Sequence, residues 1–439
     1  MKVKRLKMRA FRAIADLTLE FDTDGPIVLI GINGTGKTSI LDCIRILLSY
    51  FVVRILFEAY GQGLRIQRTR GTTIYVKKED DFSNEDIKQG SNKTTNEIEL
   101  SIDGQQVKWS VTAAARQGEQ AENVPDDLPE LTSVADNIFK SWKEDEAVNI
   151  PLVAYYPVNR SVMDIPLEIP RQEPESPPIE AYDEAITGIP VSFKSFFQWF
   201  RVREDLENEE RRDDIDYRDK QLEAVRQAIY SLLGEEDFKK LRVRRKPLRM
   251  TISKQGEELS INQLSDGEKC LLAMVGDWAR RLAIANPSLE NPLEGQGVLL
   301  IDEIELHLHP AWQRKIIPAL TKTFPNCQLI VTTHSPQVVS HIKPEGIYIL
   351  KTTPEGTVAE RPAYSFGRDS NQILEDLMEI PERPLEIKQS LREIFRAIGD
   401  KDLDSARQLI QEIAEEIGQD EPELVKARTS IRRREILRK

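Results

Sequence analysis

The N-terminal part of the chain carries a phosphate-binding loop. Every fixed position of the pattern G-x-x-x-x-G-K-[ST] is matched by residues 31–38, GINGTGKT. An apolar run precedes this loop and a helix-like segment follows it, which is the context that the motif requires. We expect Lys37 to reach the β- and γ-phosphates of a nucleotide and Thr38 to ligate Mg²⁺. A chance glycine-rich turn is the alternative interpretation.

Two acidic residues follow an apolar strand far downstream. Residues 298–301 are Val-Leu-Leu-Ile, and Asp302 and Glu303 come next. Asp302 can hold Mg²⁺ directly or through water, and Glu303 can accept a proton from an attacking water. Alone, such residues would equally suit an ordinary strand end at a polar loop. The phosphate-binding loop favours the chemical interpretation.

The segment LSDGEK at 264–269 predicts the start of a capped helix. Ser265 and Glu268 have the spacing of a capping box. A capped helix N-terminus with Ser265 and Gly267 is also suited to binding an anion. The two interpretations do not exclude each other.

The hydrophobic pattern predicts an α/β fold, with a mixed sheet flanked by helices, a β-rich N-terminal lobe and a helical insertion. Strands are predicted at 27–30, 97–102, 151–156, 241–261, 298–301 and 328–331, and helices at 192–233, 268–285 and beyond Pro384. A Pro- and Glu-rich linker at 165–190 cannot form a packed core by itself.

Composition limits the class of protein. The chain has 439 residues, which suffice for two to three domains, and its net charge of −12 argues against a general nucleic-acid coat. Three widely spaced cysteines predict no disulfide framework and indicate a reducing compartment. No signal peptide and no apolar run of ~20 residues stands out, so we expect a soluble cytoplasmic protein with no membrane partner.

Four motifs in this order resemble those of ABC-type ATPases, most closely the SMC/RecF branch and the related OLD-type and AAA-21 ATPases. The resemblance covers residues 1–60 and 240–370 and rests on Phe11-Arg12, the signature-like LSDGEK, the Walker B-like VLLIDEIE at 298–305 and the switch-like VTTHSP at 331–336. It implies an ATPase head at 1–160 and 240–380, a linker and helical insertion at 161–239, and a helical tail at 381–439.

In such proteins the signature of one subunit caps the nucleotide bound by the other. The resemblance therefore implies a homodimer or higher homo-oligomer that uses ATP and Mg²⁺, with Ser265 and Gly267 acting in trans and His334 in cis. The implied catalytic residues are Glu303 and His334, and the implied metal ligands are Thr38 and Asp302. The implied nucleotide contacts are Arg12, Asn33, Gly34, Thr35, Gly36, Lys37, Thr38, Ser265 and Gly267.

Two positions depart from this pattern. Asp266 stands where transporter cassettes usually carry glycine. No obvious Q-loop glutamine is present, and Gln62 and residues 156–160 are weak candidates for that role.

Three further segments, 304–310, 324–328 and 367–371, resemble the ATPase subunit of Septu-type and retron-associated anti-phage systems. Members of that family act beside a separate HNH nuclease. The resemblance implies an ATPase that gates a partner nuclease or a DNA transaction in antiviral defence. The alternatives are a DNA repair or recombination clamp of RecF/SMC type and a sequestering scaffold with slow turnover. A transporter cassette is disfavoured, because the insertion is far longer than a cassette needs.

Other clusters allow two interpretations each. The basic segment 239–246 fits a solvated face or contact with the phosphates of DNA. The aromatic run 196–200 fits a core or a partner-docking surface better than base stacking. His307 and His309 could share a metal, but carboxylate or cysteine partners at zinc spacing are absent from the sequence, so the dimer seam is preferred.

Overall fold

The computed structural model describes residues 1–60, 65–67, 73–75, 81–116, 121–126, 128–145, 147–159, 177–188, 193–354 and 356–438. The chain divides into two compact units, Met1–Arg368 and Asp369–Lys439. Gln62, Arg160 and most of the predicted linker at 165–190 lie outside the described residues.

The strands in chain order are β1 (Lys2–Phe11), β2 (Ile14–Glu20), β3 (Ile27–Ile30), β4 (Arg65–Gln67), β5 (Thr73–Tyr75), β6 (Lys93–Ile102), β7 (Gln105–Ala114), β8 (Glu122–Asp126), β9 (Leu152–Tyr156), β10 (Phe238–Arg245), β11 (Leu248–Lys254), β12 (Glu257–Ser260), β13 (Gly297–Ile301), β14 (Cys327–Thr332), β15 (Ile347–Thr353) and β16 (Gly356–Glu360). The helices are α1 (Lys37–Tyr60), α2 (Leu128–Glu144), α3 (Phe193–Glu210), α4 (Lys220–Leu233), α5 (Asp266–Ala285), α6 (Pro310–Gln313), α7 (Ile316–Thr323), α8 (Pro336–Val339), α9 (Ser370–Asp376), α10 (Leu385–Gly399), α11 (Leu403–Ile417) and α12 (Pro422–Arg438).

The central sheet of the first unit has the order β16-β15-β3-β14-β13-β9. Its strands are parallel except β16, which pairs antiparallel with β15. Every residue of β3, β9 and β13 is buried, as expected for parallel strands covered on both faces. The predicted mixed α/β fold and its buried parallel strands are therefore confirmed.

A five-stranded antiparallel sheet, β2-β1-β6-β7-β8, forms the β-rich N-terminal lobe. Alternate residues of β6 and β7 are buried, so one face of these strands lies on the core and the other faces outward. The period-2 strand predicted at 97–102 is the second half of β6. Arg12, at the end of β1, connects this lobe to α1 through an ion pair with Asp42.

The region before the central β13 strand combines a small sheet with helices. Strands β10, β11 and β12 form an antiparallel sheet, and α3 and α4 contact the long helix α5. The aromatic run of α3 is buried, with Phe196, Phe197 and Phe200 at most 1% exposed. A Cβ on Gly276 of α5 would lie 2.9 Å from the Phe196 ring, so glycine permits this close contact. The aromatic run is therefore core.

The second unit is helical. Its helices α10, α11 and α12 bury a common apolar cluster that includes Leu391, Ile394, Ile410 and Leu424. Amphipathic helices of this length require such packing to be stable. The predicted helical C-terminal tail is confirmed.

Two further observations concern the whole of the described chain. Cys43, Cys270 and Cys327 are free thiols. Among the described residues, we find no helix with both the length and the apolar character needed to cross a membrane.

Candidate nucleotide-binding site

Four segments meet at the carboxyl edge of the central sheet. The loop 31–38 follows β3, Asp302 follows β13, the switch segment follows β14, and residues 157–159 follow β9. Ile301 is in register with Val331 on one side and Tyr156 on the other, so these strands end at one level. The carboxyl edge of a parallel sheet is where α/β proteins bind ligands.

The loop 31–38 has the backbone that a phosphate cradle requires. Gly34 and Gly36 have φ angles of 84° and 98°, a region that favours glycine. Helix α1 begins directly at Lys37, so its first N–H groups face the loop. The buried Thr35 donates its hydroxyl hydrogen to Ile32 O (2.9 Å), so its side chain shapes the loop from inside. Asn33 and Gly34 are exposed at the outer surface of the loop.

Lys37 lies across the loop. Its ammonium donates to Gly31 O (2.8 Å) and Ile32 O (3.0 Å). Burial lowers the pKa of Lys37, and the negative charges of Asp302, Glu303 and Glu305 oppose that shift. The carboxylates therefore favour the charged ammonium that phosphate binding needs.

Asp302 is the best-fixed carboxylate of the site. It is 1% exposed, and its backbone N–H donates to Tyr156 O (2.9 Å). Its two side-chain oxygens accept from the hydroxyls of Thr38 (2.9 Å) and Thr332. Thr38 and Asp302 are 264 positions apart in the chain, yet their oxygens are adjacent. A hydroxyl and a carboxylate at this spacing fit neighbouring ligand positions of Mg²⁺, which binds oxygen ligands at ~2.0–2.1 Å.

Glu303 has an unusual backbone. Its φ angle is 46°, in the left-handed region that non-glycine residues rarely adopt. Its N–H donates to the hydroxyl of Thr332 (2.7 Å), and Ile304 N donates to Thr332 O (3.0 Å). Thr332 therefore fixes both acids. The only signal for Thr332 in the sequence is its place at the end of a buried strand, within the switch segment 331–336.

The switch segment is connected to a third acid. His334 N donates to Glu305 Oε1 (2.5 Å), and Ser335 Oγ donates to Gln313 Oε1 (2.7 Å). The imidazole of His334 is exposed at the same edge of the sheet. The sequence analysis assigned no role to Glu305, although the alternation Asp302-Glu303-x-Glu305 was a signal for it.

Arg12 lies on the flank of α1. Its guanidinium donates to Asp42 (2.7 Å) and Asp86 (2.9 Å). Burial lowers the pKa of Arg12, but these two carboxylates outweigh burial and the net shift is upward. The structure thus places Arg12 in an ion-pair network beside the cradle. Within the described part of the chain, no hydrogen bond joins Arg12 to residues 31–38.

The signature segment forms the N-terminus of α5, and the predicted capping box is present. Ser265 caps the helix, and Glu268 reaches back to it. A Cβ on Gly267 would lie 2.4 Å from His307 O, so only glycine allows the segment after the Walker B acids to pass this closely. Ser265 is exposed, and among the described residues neither Ser265 nor Gly267 has a hydrogen bond to the cradle. The chain thus brings Lys37, Thr38, Asp302, Glu303 and His334 to one edge of the sheet.

A buried network connects α5 with the central sheet. Asp277 accepts from Tyr156 Oη (2.9 Å), Arg281 Nε (2.8 Å) and Arg280 Nη2 (2.8 Å). Burial raises the pKa of Asp277, but Arg281 and Arg280 outweigh burial and lower it to about 2. No motif in the sequence predicts this network.

The three arginines of the basic segment 239–246 are paired with acids. Arg242 and Arg244 both donate to Glu258 (2.5 and 2.7 Å), and Arg245 donates to Asp205. Ion pairing with these arginines lowers the pKa of Glu258. Their charge is thus partly neutralised within the chain.

No group of three or more His, Cys, Asp and Glu side chains suited to a metal occurs among the described residues. His309 instead caps α6, where its Nδ1 accepts from Ala311 N (3.2 Å).

Known proteins resemble this chain over most of its length. A family model, AAA_21, described as "AAA domain, putative AbiEii toxin, Type IV TA system", matches residues 27–340. "Retron Ec83 probable ATPase" of Escherichia coli is 29% identical, over 99% of this chain and 87% of that protein. "Retron Vc95 probable ATPase" of Vibrio cholerae serotype O1 biovar El Tor is 30% identical over 88% and 80%. "Septu protein PtuA" of Bacillus thuringiensis is 25% identical over 57% and 64%. The resemblance inferred from the motifs is confirmed.

Proposed function

This chain belongs to the AAA_21 family and is an ATPase, and we propose that two copies of it join around ATP and Mg²⁺ and thereby gate a partner nuclease. The proposal rests chiefly on one observation: among the described residues, no hydrogen bond joins Ser265 or Gly267 of the signature to the cradle of the same chain. Lys37, Thr38, Asp302 and Glu303 lie together, whereas the exposed Ser265 faces outward at the N-terminus of another helix. A C₂ dimer would join each half-site to its complement.

Each residue of the first half-site has a role in this scheme. Lys37 binds the β- and γ-phosphates, and Thr38 and Asp302 would hold Mg²⁺, which neutralises charge on the phosphates. Glu303 accepts the proton of the attacking water, and its backbone hydrogen bond to Thr332 orients it. His334, whose backbone N–H donates to Glu305, would act in cis at the γ-phosphate. Ser265 and Gly267 of the partner subunit would close the site over the γ-phosphate.

The biological role is proposed from the relatives. Two of them carry names of retron ATPases and one carries the name of a Septu protein. By the family resemblance, we propose a role in anti-phage defence beside a separate HNH-type nuclease, in the cytoplasm. In this scheme the head comprises 1–160 and 240–380, and the insertion and tail are the surfaces left for partners. Two alternatives predict different turnover. A repair or recombination clamp should hydrolyse ATP faster when DNA is added. A sequestering scaffold should show almost no turnover.

Mixing two inactive variants tests the shared site. Lys37→Ala should lose ATP binding, because the phosphates lose their cationic partner. Ser265→Arg should bind ATP in its own cradle but block the partner's γ-phosphate. In a mixture, the cradle of one chain and the signature of the other form one intact site, so phosphate release should recover in part when one site suffices.

Mixing Lys37→Ala with Glu303→Gln is the matched control. Both changes damage the same half-site, so every mixed dimer lacks an intact composite site and no recovery is expected. Full activity of Ser265→Arg alone would contradict the shared site.

A further inference from the structure

Each carboxylate of the signature segment 264–269 is paired with a lysine. Asp266 and Glu268 place two carboxylates in the first turn of α5, next to Ser265. Asp266 pairs with Lys269 of the same helix (2.8 Å), and Glu268 pairs with Lys254 of β11 (2.7 Å). A segment proposed to meet a phosphate thus carries two negative charges, and each has a lysine partner.

The two pairs differ in burial. The Asp266 side chain is 81% exposed, so water already screens its charge and the pair with Lys269 adds little. The Glu268 side chain is 8% exposed. A buried carboxylate depends on its partners, because removing one of them leaves an uncompensated charge. Lys254 is therefore the more consequential lysine.

Lys254 and Ser265 bind opposite oxygens of one carboxylate. Glu268 Oε1 accepts from Lys254 Nζ (2.7 Å), and Glu268 Oε2 accepts from Ser265 N (2.9 Å) and Ser265 Oγ (3.0 Å). Burial raises the pKa of Glu268, but the bonds from Lys254 and Ser265 outweigh burial and lower it. An ionised carboxylate thus lies directly behind the hydroxyl that would approach the γ-phosphate.

We propose that Lys254 is a positioning residue for the shared ATP site: it neutralises Glu268, so that Ser265 can approach the γ-phosphate on the partner subunit. This inference rests on the proposed function. Without the ammonium, a bare carboxylate one hydrogen bond behind Ser265 repels the phosphate, and like charges brought together at an interface oppose association. The aspartate at 266 is tolerated for a different reason, namely its exposure to water.

The test measures ATP-dependent association in a Glu303→Gln background, where slow hydrolysis keeps ATP in place. Sedimentation velocity follows the association. Lys254→Met should weaken it by about tenfold or more. Calorimetry should show an unchanged ATP affinity of the separate chains, because within the described part of the chain Lys254 forms no hydrogen bond or ion pair with residues 31–38. Lys108→Met is the control for loss of a lysine charge, since Lys108 forms an ion pair of similar length with the partly buried Glu97 (2.9 Å) in the N-terminal lobe. It should associate like the parent.

Charge-matched rescue separates neutralisation from a structural effect. Lys254→Arg, and Lys254→Met combined with Glu268→Gln, should both restore association, since the glutamine carbonyl can still cap Ser265. Glu268→Gln alone should associate at least as tightly as the parent, and this variant tests the inference even if Lys254→Met does not fold. Parental association of Lys254→Met, or weakened association of folded Glu268→Gln, would overturn the inference. No ATP-dependent association of the Glu303→Gln parent itself would contradict the proposed function, and the inference would fall with it.

Discussion

Thr332 offers the sharpest test of how the catalytic edge is built. Its hydroxyl accepts from Glu303 N (2.7 Å) and donates to Asp302 Oδ1. The residue is fully buried, so no water replaces a lost partner. Thr332→Val keeps the shape of the side chain and removes both hydrogen bonds.

The expected magnitudes follow from those two bonds. A hydrogen bond to a charged group contributes ~1.5–3 kcal/mol and a neutral one ~0.5–1.5 kcal/mol, so the free energy of unfolding should fall by about 2–4 kcal/mol. The turnover rate of the folded variant should also fall, for a reason separate from the lower free energy of unfolding. Glu303 has a φ of 46° and loses the bond that supports this conformation. Since a displacement of ~1 Å in a reacting group can cost ~10²-fold, we expect at least a tenfold loss of turnover.

Phosphate release at saturating ATP and urea unfolding measure the two effects. Thr94→Val is the control, because buried Thr94 donates to Arg9 O (2.8 Å) and accepts from Asn96 Nδ2 (3.0 Å) in the N-terminal lobe. Because both partners of Thr94 are neutral, this variant should lose about 1–3 kcal/mol, which overlaps the loss expected for Thr332→Val, and keep its turnover. A folded Thr332→Val enzyme with the parental rate would refute the argument that Thr332 orients Glu303.

Two other substitutions probe the acids of the site and of α5. Glu303→Gln should bind ATP but release phosphate ~10²–10⁴-fold more slowly, because glutamine cannot accept the proton; parental turnover would assign the base elsewhere. Asp277→Asn should lower the free energy of unfolding by about 3–5 kcal/mol, since Arg281 is left buried without its counter-ion. The pKa of Asp277 is lowered to about 2, so its stabilisation is fully present above the unfolded pKa of ~3.9 and is lost as the pH falls towards 2. The urea midpoints of the parent and of Asp277→Asn should therefore differ by a constant amount from pH 5 to 8 and converge only in stronger acid. Equal midpoints at neutral pH would contradict the pairing of Asp277 with the two arginines.

The features that the sequence predicted are those encoded locally. Buried parallel strands appear as short apolar runs, and β3 and β13 lie where those runs lie. The capping box at Ser265 depends on residues three positions apart, and it is present. The position of Asp302 at a strand end also followed from its neighbours in the chain. These patterns can be found in one sequence because each is contained within a few residues.

The features that the sequence did not predict are contacts between distant positions. Thr332 and Glu303 are 29 positions apart, and Tyr156 and Asp277 are 121 apart. The amino-acid composition of each segment does not predict which distant residue it contacts. The basic segment of β10 shows the same limit, since its charge is partly offset by Glu258 and Asp205, which are distant in sequence. The net charge of this surface could therefore not be predicted from the run of basic residues alone.

Tyr156 connects the helix that begins with the signature to the strand end that carries Asp302. Its hydroxyl donates to Asp277 of α5, the helix that begins with the signature. Its carbonyl accepts from the N–H of Asp302, the carboxylate beside Thr38. A shift of α5 relative to the sheet would break a buried, charge-assisted hydrogen bond, which costs more than an exposed one. Tyr156 thus links the helix that begins with Ser265 to the strand end that carries Asp302, and the close approach of Gly267 to His307 O adds a second link between the same two parts. A dimer of the proposed kind would meet two faces whose relative position is restrained within each chain.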